Sequence, residues 1–174
     1  MAAPATHWVF GYGSLMWRPG FRFRHAEPAL LTGFHRALCV FSYMYRGTAD
    51  VPGLVFGLDE GGQCHGLAFE VEAALWPETI SYLRERELIP SVYHERELAV
   101  TLEHSRRQVA ATAYVVDRGH AQYTGPLSNE RILRYVRQGH GEAGSCVDYV
   151  HNTARHLREL GLADPALDDL AQQI

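Results

Sequence analysis

Short apolar runs dominate the first half of the chain, and helical spacings gather toward its end. Val9 and Phe10 close a short β-branched and aromatic run that reads as the end of a buried strand. Gly11 and Gly13 then bracket Tyr12, and the chain turns at Ser14. Arg18 to Pro28 reads as an exposed connection. Ala29 to Ser42 alternates loosely around Leu31, Phe34, Leu38, Val40 and Phe41, which predicts one bent strand or two strands joined near Gly33. The polar stretch Tyr43 to Pro52 predicts a loop. Leu54 to Leu58 and Cys64 to Val71 are apolar runs on either side of Gly61-Gly62, the pattern of a hairpin. Ala73 to Leu88 predicts a helix with Pro77 in its first turns and Pro90 beyond its end.

Leu98 to Leu102 and Val109 to Val116 predict two further strands. Ser128 is placed to cap a helix carrying Ile132, Leu133 and Val136, with Gly139 past its end. Ser145 caps another, with Val147, Val150, Ala154 and Leu157 on one face and Gly161 closing it. Asp164-Pro165 starts a last short helix. No internal repeat, low-complexity tract or linker interrupts the order. Strands first and helices late predict an α+β fold: a small closed or strongly curved, mostly antiparallel, β-barrel-like sheet with helices around it. Residues 1–174 read as a single domain, with residues 1–7 a flexible extension.

Composition narrows the setting. The chain has 174 residues and 47% apolar content, enough for a sizeable core. A net charge of −4 with both signs interspersed lacks the basic stripe of a nucleic-acid surface. No run approaches the roughly 18 apolar residues of a membrane span, and the first residues have neither a basic nor an apolar leader pattern. Cys39, Cys64 and Cys146 are odd in number and widely spaced, which suits a reducing compartment and predicts a cytoplasmic protein.

Several motifs drop out on spacing. Met16 stands where a dinucleotide fingerprint needs its third glycine. Gly13-Ser14 lacks the flanking glycines of a nucleophile elbow. His25-Ala-Glu27 has no later Pro-Cys-x-x-Cys to make a zinc deaminase. His151 and His156 lie too far apart to share a helix face as metal ligands. Three features survive. Glycines at alternate positions after a strand either ease a turn or let a ligand approach backbone N–H groups, an arrangement suited to a carboxylate or oxyanion. On the predicted 73–88 helix, Ile80, Leu83 and Glu87 share a face, whereas Glu85 points to solvent. Glu87 also falls in the last helical turn, where the dipole disfavours negative charge. Burial and dipole would both raise its proton affinity, as a general base near neutral pH requires; the alternative is a carboxylate paired with Arg84, Arg86 or Arg96. Tyr123-Thr-Gly-Pro126 is either a plain tight turn or a loop presenting a hydroxyl donor.

Taken together, these elements resemble the ChaC-type γ-glutamylcyclotransferases. Val9-Phe-Gly-Tyr-Gly-Ser-Leu15 with Trp17 matches that family's opening signature. Arg46-Gly-Thr48, Pro52-Gly53 and Gly66-Leu-Ala-Phe69 follow in order, then Tyr82-Leu-Arg-Glu-Arg-Glu87, Tyr93 and Tyr123-Thr-Gly-Pro126. The resemblance covers essentially the whole chain. It implies a small barrel ringed by helices and a reaction in which a substrate α-amine attacks its own γ-carbonyl, releasing 5-oxoproline and, from glutathione, Cys-Gly. It implies Glu87 as the catalytic residue, with Val9, Phe10, Gly11, Tyr12, Gly13, Ser14, Leu15 and Tyr123 binding substrate. Arg46 and Tyr93 are further candidates for that binding. No metal or cofactor is implied, and the partner is a small molecule. Other γ-glutamyl amino acids or γ-glutamylamines are the alternative substrates, and a non-enzymatic binding module on the same fold is the alternative class. The segment Leu88-Ile-Pro-Ser-Val92 lacks a glycine found there in many members, which bears on the pocket rim.

Overall fold

The computed structural model describes residues 5–89, 91–162 and 164–174, and the chain divides into two compact units. The first comprises residues up to Arg36 together with Leu58–Val115; the second comprises Ala37–Gly57 and Val116–Ile174. Five strands close into a barrel in the order β1-β3-β2-β4-β5, with β3 also pairing with β5.

In the first unit, β1 (Thr6–Gly11) lies between two partners. It runs antiparallel to β3 (Gly53–Glu72), from Thr6 opposite Glu72 to Gly11 opposite Leu67, and parallel to β5 (Gln108–Val116) at Trp8 and Val9. Trp8 to Gly11 are buried without a break, and because alternate side chains point to opposite faces, both faces of this strand are covered. Thr6 and His7, assigned to an N-terminal extension on sequence, belong to this strand, and His7 stacks on Trp76 at 4.4 Å between ring centroids. β2 (His25–Ser42) pairs antiparallel with β4 (Tyr93–Leu102) around Leu30 and Thr101. The barrel is mixed, because both β1–β5 and β3–β5 run parallel.

The hairpin expected across Gly61-Gly62 is not formed. Gly53–Glu72 is one continuous strand, and the two glycines, at φ 98° and 67°, bend it without reversing it. Each half finds other partners: Leu67 to Glu72 pair with β1, and Leu58 pairs with Val115 of β5. β2 lies alongside, where His35 Nδ1 sits 3.0 Å from the Gly61 carbonyl oxygen. The reversal comes earlier, in the 43–52 loop between β2 and β3, and neighbouring strands joined by so short a connection run antiparallel. β2 and β4 also begin before their apolar runs, at His25 and Tyr93.

Helix α1 (Trp76–Glu87) follows a short 3-10 turn at Ala73–Leu75 and buries Thr79 and Leu83. In the second unit, α2 (Asn129–Gln138) and α3 (Cys146–Glu159) start at the expected caps. Ser128 Oγ accepts from the Arg131 N–H at 3.3 Å, and Ser145 Oγ accepts from the Asp148 N–H at 3.0 Å. A small hairpin of β6 (His140–Gly141) and β7 (Gly144–Ser145) joins them. α4 (Pro165–Gln173) is capped by the Asp164 carboxylate. Val150, Ala154 and Leu157 of α3 are buried, and α2 and α4 both pack against that helix. Among the described residues, no helix is long and apolar enough to cross a membrane.

Candidate active site

Beyond Gly11 the chain leaves the sheet and enters a 3-10 turn at Ser14–Met16, closed by the Met16 N–H on the Gly13 carbonyl. The approach of β1 to β3 here is so close that Gly66 must be glycine: a Cβ on it would overlap the Gly11 carbonyl oxygen and the Phe10 ring. Val9 and Phe10 are fully buried, so their side chains serve the core and fix where the turn begins. Leu15 is buried too, whereas a Cβ added to Gly13 would meet nothing within 4 Å. The N–H groups of Gly13, Ser14 and Leu15 head the turn, where the first amides have no partner within the helix.

Arg86, near the end of α1, anchors that turn. Its guanidinium donates to Ser14 Oγ at 2.9 Å, to the carbonyls of Arg18 and Pro19, and to the Tyr82 hydroxyl at 3.0 Å. Glu87 therefore sits one residue from the contact that joins α1 to the glycine-bracketed turn. Its side chain keeps only 18% of its exposure, and Arg86 Nε lies 3.4 Å from Glu87 Oε1. Burial raises the proton affinity of the Glu87 carboxyl above the ordinary value, and Arg86 offsets only part of that. The ion-pair alternative is thus met by Arg86 alone, whose guanidinium is already committed to four other oxygens. Arg84 is engaged elsewhere, in a two-pronged contact with Glu95 at 3.0 and 2.8 Å. Glu95 also accepts from the Tyr114 hydroxyl at 3.1 Å. Burial first, and Glu95 second, push the Tyr114 phenol far up, so it stays a donor.

The remaining expected residues are distributed across both units. Tyr12 is 8% exposed, and its carbonyl accepts from Arg36 Nε at 2.6 Å. Tyr93 opens β4 and is half-buried. Tyr123 and Arg46 belong to the second unit. Tyr123 makes an isolated bridge to Val40, with the Arg118 guanidinium 5.9 Å from its ring centroid. Arg46 is tied down locally: it donates to the Ser145 carbonyl at 3.1 Å and lies over the Tyr149 ring at 5.1 Å. No group of three or more His, Cys, Asp or Glu among the described residues is arranged to hold a metal ion.

Arg86 thus ties the glycine-bracketed turn to the helix that carries Glu87, and the family match takes in both segments. The model described as "ChaC-like protein" matches residues 7–174. The chain belongs to the ChaC-like family. Among curated relatives, the Escherichia coli protein named glutathione-specific gamma-glutamylcyclotransferase is 32% identical over 163 residues, spanning 94% of this chain and 70% of that one. The Danio rerio glutathione-specific gamma-glutamylcyclotransferase 1 is 29% identical over 172 residues, spanning 97% and 86%. A crystal structure of the yeast cyclotransferase specific to glutathione superposes with a TM-score of 0.87, covering 97% of this chain and 95% of that one; at 21% identity it speaks for the fold.

Sequence reasoning missed three residues that tie these segments together. Arg36 hides in a loosely alternating strand, where a lone arginine reads as a solvated charge. Arg86 reads in the sequence as one possible ion-pair partner of Glu87, and its bonds to the 14–19 segment appear only when that segment folds back on α1. Tyr114, in an apolar run, reads as plain core, and nothing in the sequence couples it to Glu95.

Proposed function

We propose that this chain is a γ-glutamylcyclotransferase that converts glutathione to 5-oxoproline and Cys-Gly. The observation that carries the reading is Glu87: a shielded carboxylate with raised proton affinity, held through its neighbour Arg86 to the turn that displays the Gly13 to Leu15 amides. The substrate α-amine loses a proton to Glu87 as its nitrogen attacks the γ-carbonyl carbon. The new C–N bond closes the five-membered lactam, the tetrahedral oxyanion collapses, and the C–N bond to the cysteine breaks. Glu87 returns the proton to the departing nitrogen, so one carboxyl serves as base and then acid. Such help is typically worth about 10²–10⁴-fold.

The tethered nucleophile leaves the site one further task, holding the γ-glutamyl chain bent for attack. The amides of the Gly11–Leu15 segment would grip the α-carboxylate, and Tyr93 would supply a donor to the same head group. Reaction and products balance without a metal or cofactor. The glutathione-specific names of the Escherichia coli and Danio rerio relatives favour glutathione over other γ-glutamyl compounds. Three buried cysteine thiols suit the reducing, cytoplasmic setting in which we place the protein.

The test is to incubate the chain with glutathione, and separately with γ-glutamyl-alanine and a γ-glutamylamine, assaying 5-oxoproline. Glutathione turnover with Cys-Gly release is expected, and Glu87→Gln should lose at least about 10²-fold in kcat. Turnover of γ-glutamyl-alanine alone would overturn the substrate and keep the reaction. No 5-oxoproline from any of the three would overturn the enzyme reading.

A further inference from the structure

The last pair of the β1–β3 ladder is Gly11 opposite Leu67, so the register would next set Tyr12 against Gly66 and Gly13 against His65. That ladder does not continue. In its place, the Arg36 guanidinium reaches from β2 and donates to two carbonyls, Nε to Tyr12 at 2.6 Å and Nη2 to His65 at 2.7 Å. One planar fork thus fastens the two strands where they separate, with donors spaced as a single guanidinium spaces them.

The contact on Tyr12 has a consequence for its neighbour. In a trans peptide the C=O and the following N–H point in opposite directions. Fixing the Tyr12 carbonyl on Arg36 therefore fixes the Gly13 N–H pointing away from Arg36, at the head of the turn. A free Tyr12–Gly13 peptide could rotate, and the Gly13 amide would then be lost to the turn. Arg86 holds the other end through Ser14 Oγ, so the segment is pinned on both sides of Gly13.

We propose that Arg36 is a positioning residue for the α-carboxylate of the substrate, acting through the Tyr12–Gly13 peptide that it orients. This rests on the γ-glutamyl reading above. Arg36 does not touch the reacting atoms. It presets an amide donor that the carboxylate uses in both ground and transition states, so its loss shows in KM more than in kcat. An arginine that only held the fold together would lower the active fraction, reducing kcat and leaving KM alone.

The experiment compares wild type with Arg36→Lys, which keeps the charge but loses the rigid planar fork that spaces the two donors. KM for glutathione should rise roughly 10- to 100-fold, the loss of one charge-assisted contact, with kcat within a few-fold. Hydrogen exchange at the Gly13 amide, followed by NMR in the free protein, should quicken. An unchanged KM overturns the proposal while leaving the cyclotransferase reading intact. Should wild type turn over no γ-glutamyl compound, that reading fails, and the Gly13 exchange decides whether Arg36 orients the peptide. If Arg36→Lys does not fold, the Glu87→Gln protein takes its place with Arg36 intact. There, added glutathione should shift the Gly13 amide resonance and slow exchange at Arg36 Nε; the absence of both overturns the proposal.

Discussion

Glu87 and Glu95 belong to the same unit, yet their surroundings push their proton affinities in opposite directions. Glu95 is held below the ordinary value by its hydrogen bonds from Arg84, with Tyr114 adding to it. Glu87 is raised by burial, and only Arg86 opposes. The linkage signs follow. Glu95 contributes stability above its unfolded value, and that contribution is lost as pH falls through its depressed folded value. Glu87 does the reverse: burial disfavours its charged form, so it subtracts from stability where it is ionised, and the penalty fades as pH falls through its raised folded value. Glu87→Gln should therefore melt at or above the wild-type temperature at pH 7, with the gap closing toward pH 4. Its loss of activity would then be chemical and not a loss of fold. The same raised value should set the acid limb of kcat/KM above 4.5, because the base works only when ionised. A rate that stays flat below pH 4.5, with the protein still folded, would remove Glu87 from the role of base.

The end of β1 against β3, and the turn that follows, use glycine for two different reasons, and substitution separates them. At Gly66 a Cβ would collide with backbone of the neighbouring strand and with the buried Phe10 ring, neither of which can yield without moving the sheet. Gly66→Ala should cost about 1–3 kcal/mol, as overpacking does, read as a drop in melting temperature. At Gly13 the added methyl meets open space. Gly13→Ala should leave the melting temperature nearly unchanged, yet raise KM for glutathione, because the methyl would stand where the substrate head is proposed to lie. Equal effects of the two substitutions on stability would refute this division. The three helix starts at Ser128, Ser145 and Asp164 were legible in sequence because a cap is a local device, one side chain satisfying an amide three residues on. The shielding of Glu87 was legible for a similar reason, since helical periodicity put it in line with Leu83.

What sequence could not convey was partnership between distant strands. Two apolar runs around a pair of glycines look alike whether they fold on each other or continue, and the choice depends on which other strands are present. Here β1 and β5 offer edges that the halves of β3 take up, and Gly61-Gly62 becomes a bend. The same blindness hid the parallel β1–β5 pairing and the arginine fork at Tyr12 and His65. The two readings of β3 differ in a measurable way. If Gly61-Gly62 were a hairpin tip, one inserted residue would only lengthen an exposed turn, and doubling a loop costs only about 0.6 kcal/mol. In a continuous strand, a residue inserted between Gly61 and Gly62 shifts Cys64 to Val71 by one position and turns buried Phe69 and Val71 to the opposite face. The 43–52 loop is the true reversal, and Thr48 to Val51 lie exposed at its tip. Two glycines inserted between Ala49 and Asp50 should lower the melting temperature by no more than a few degrees. A single glycine between Gly61 and Gly62 should lower it several times further. The reverse order would restore the hairpin and overturn the continuous strand.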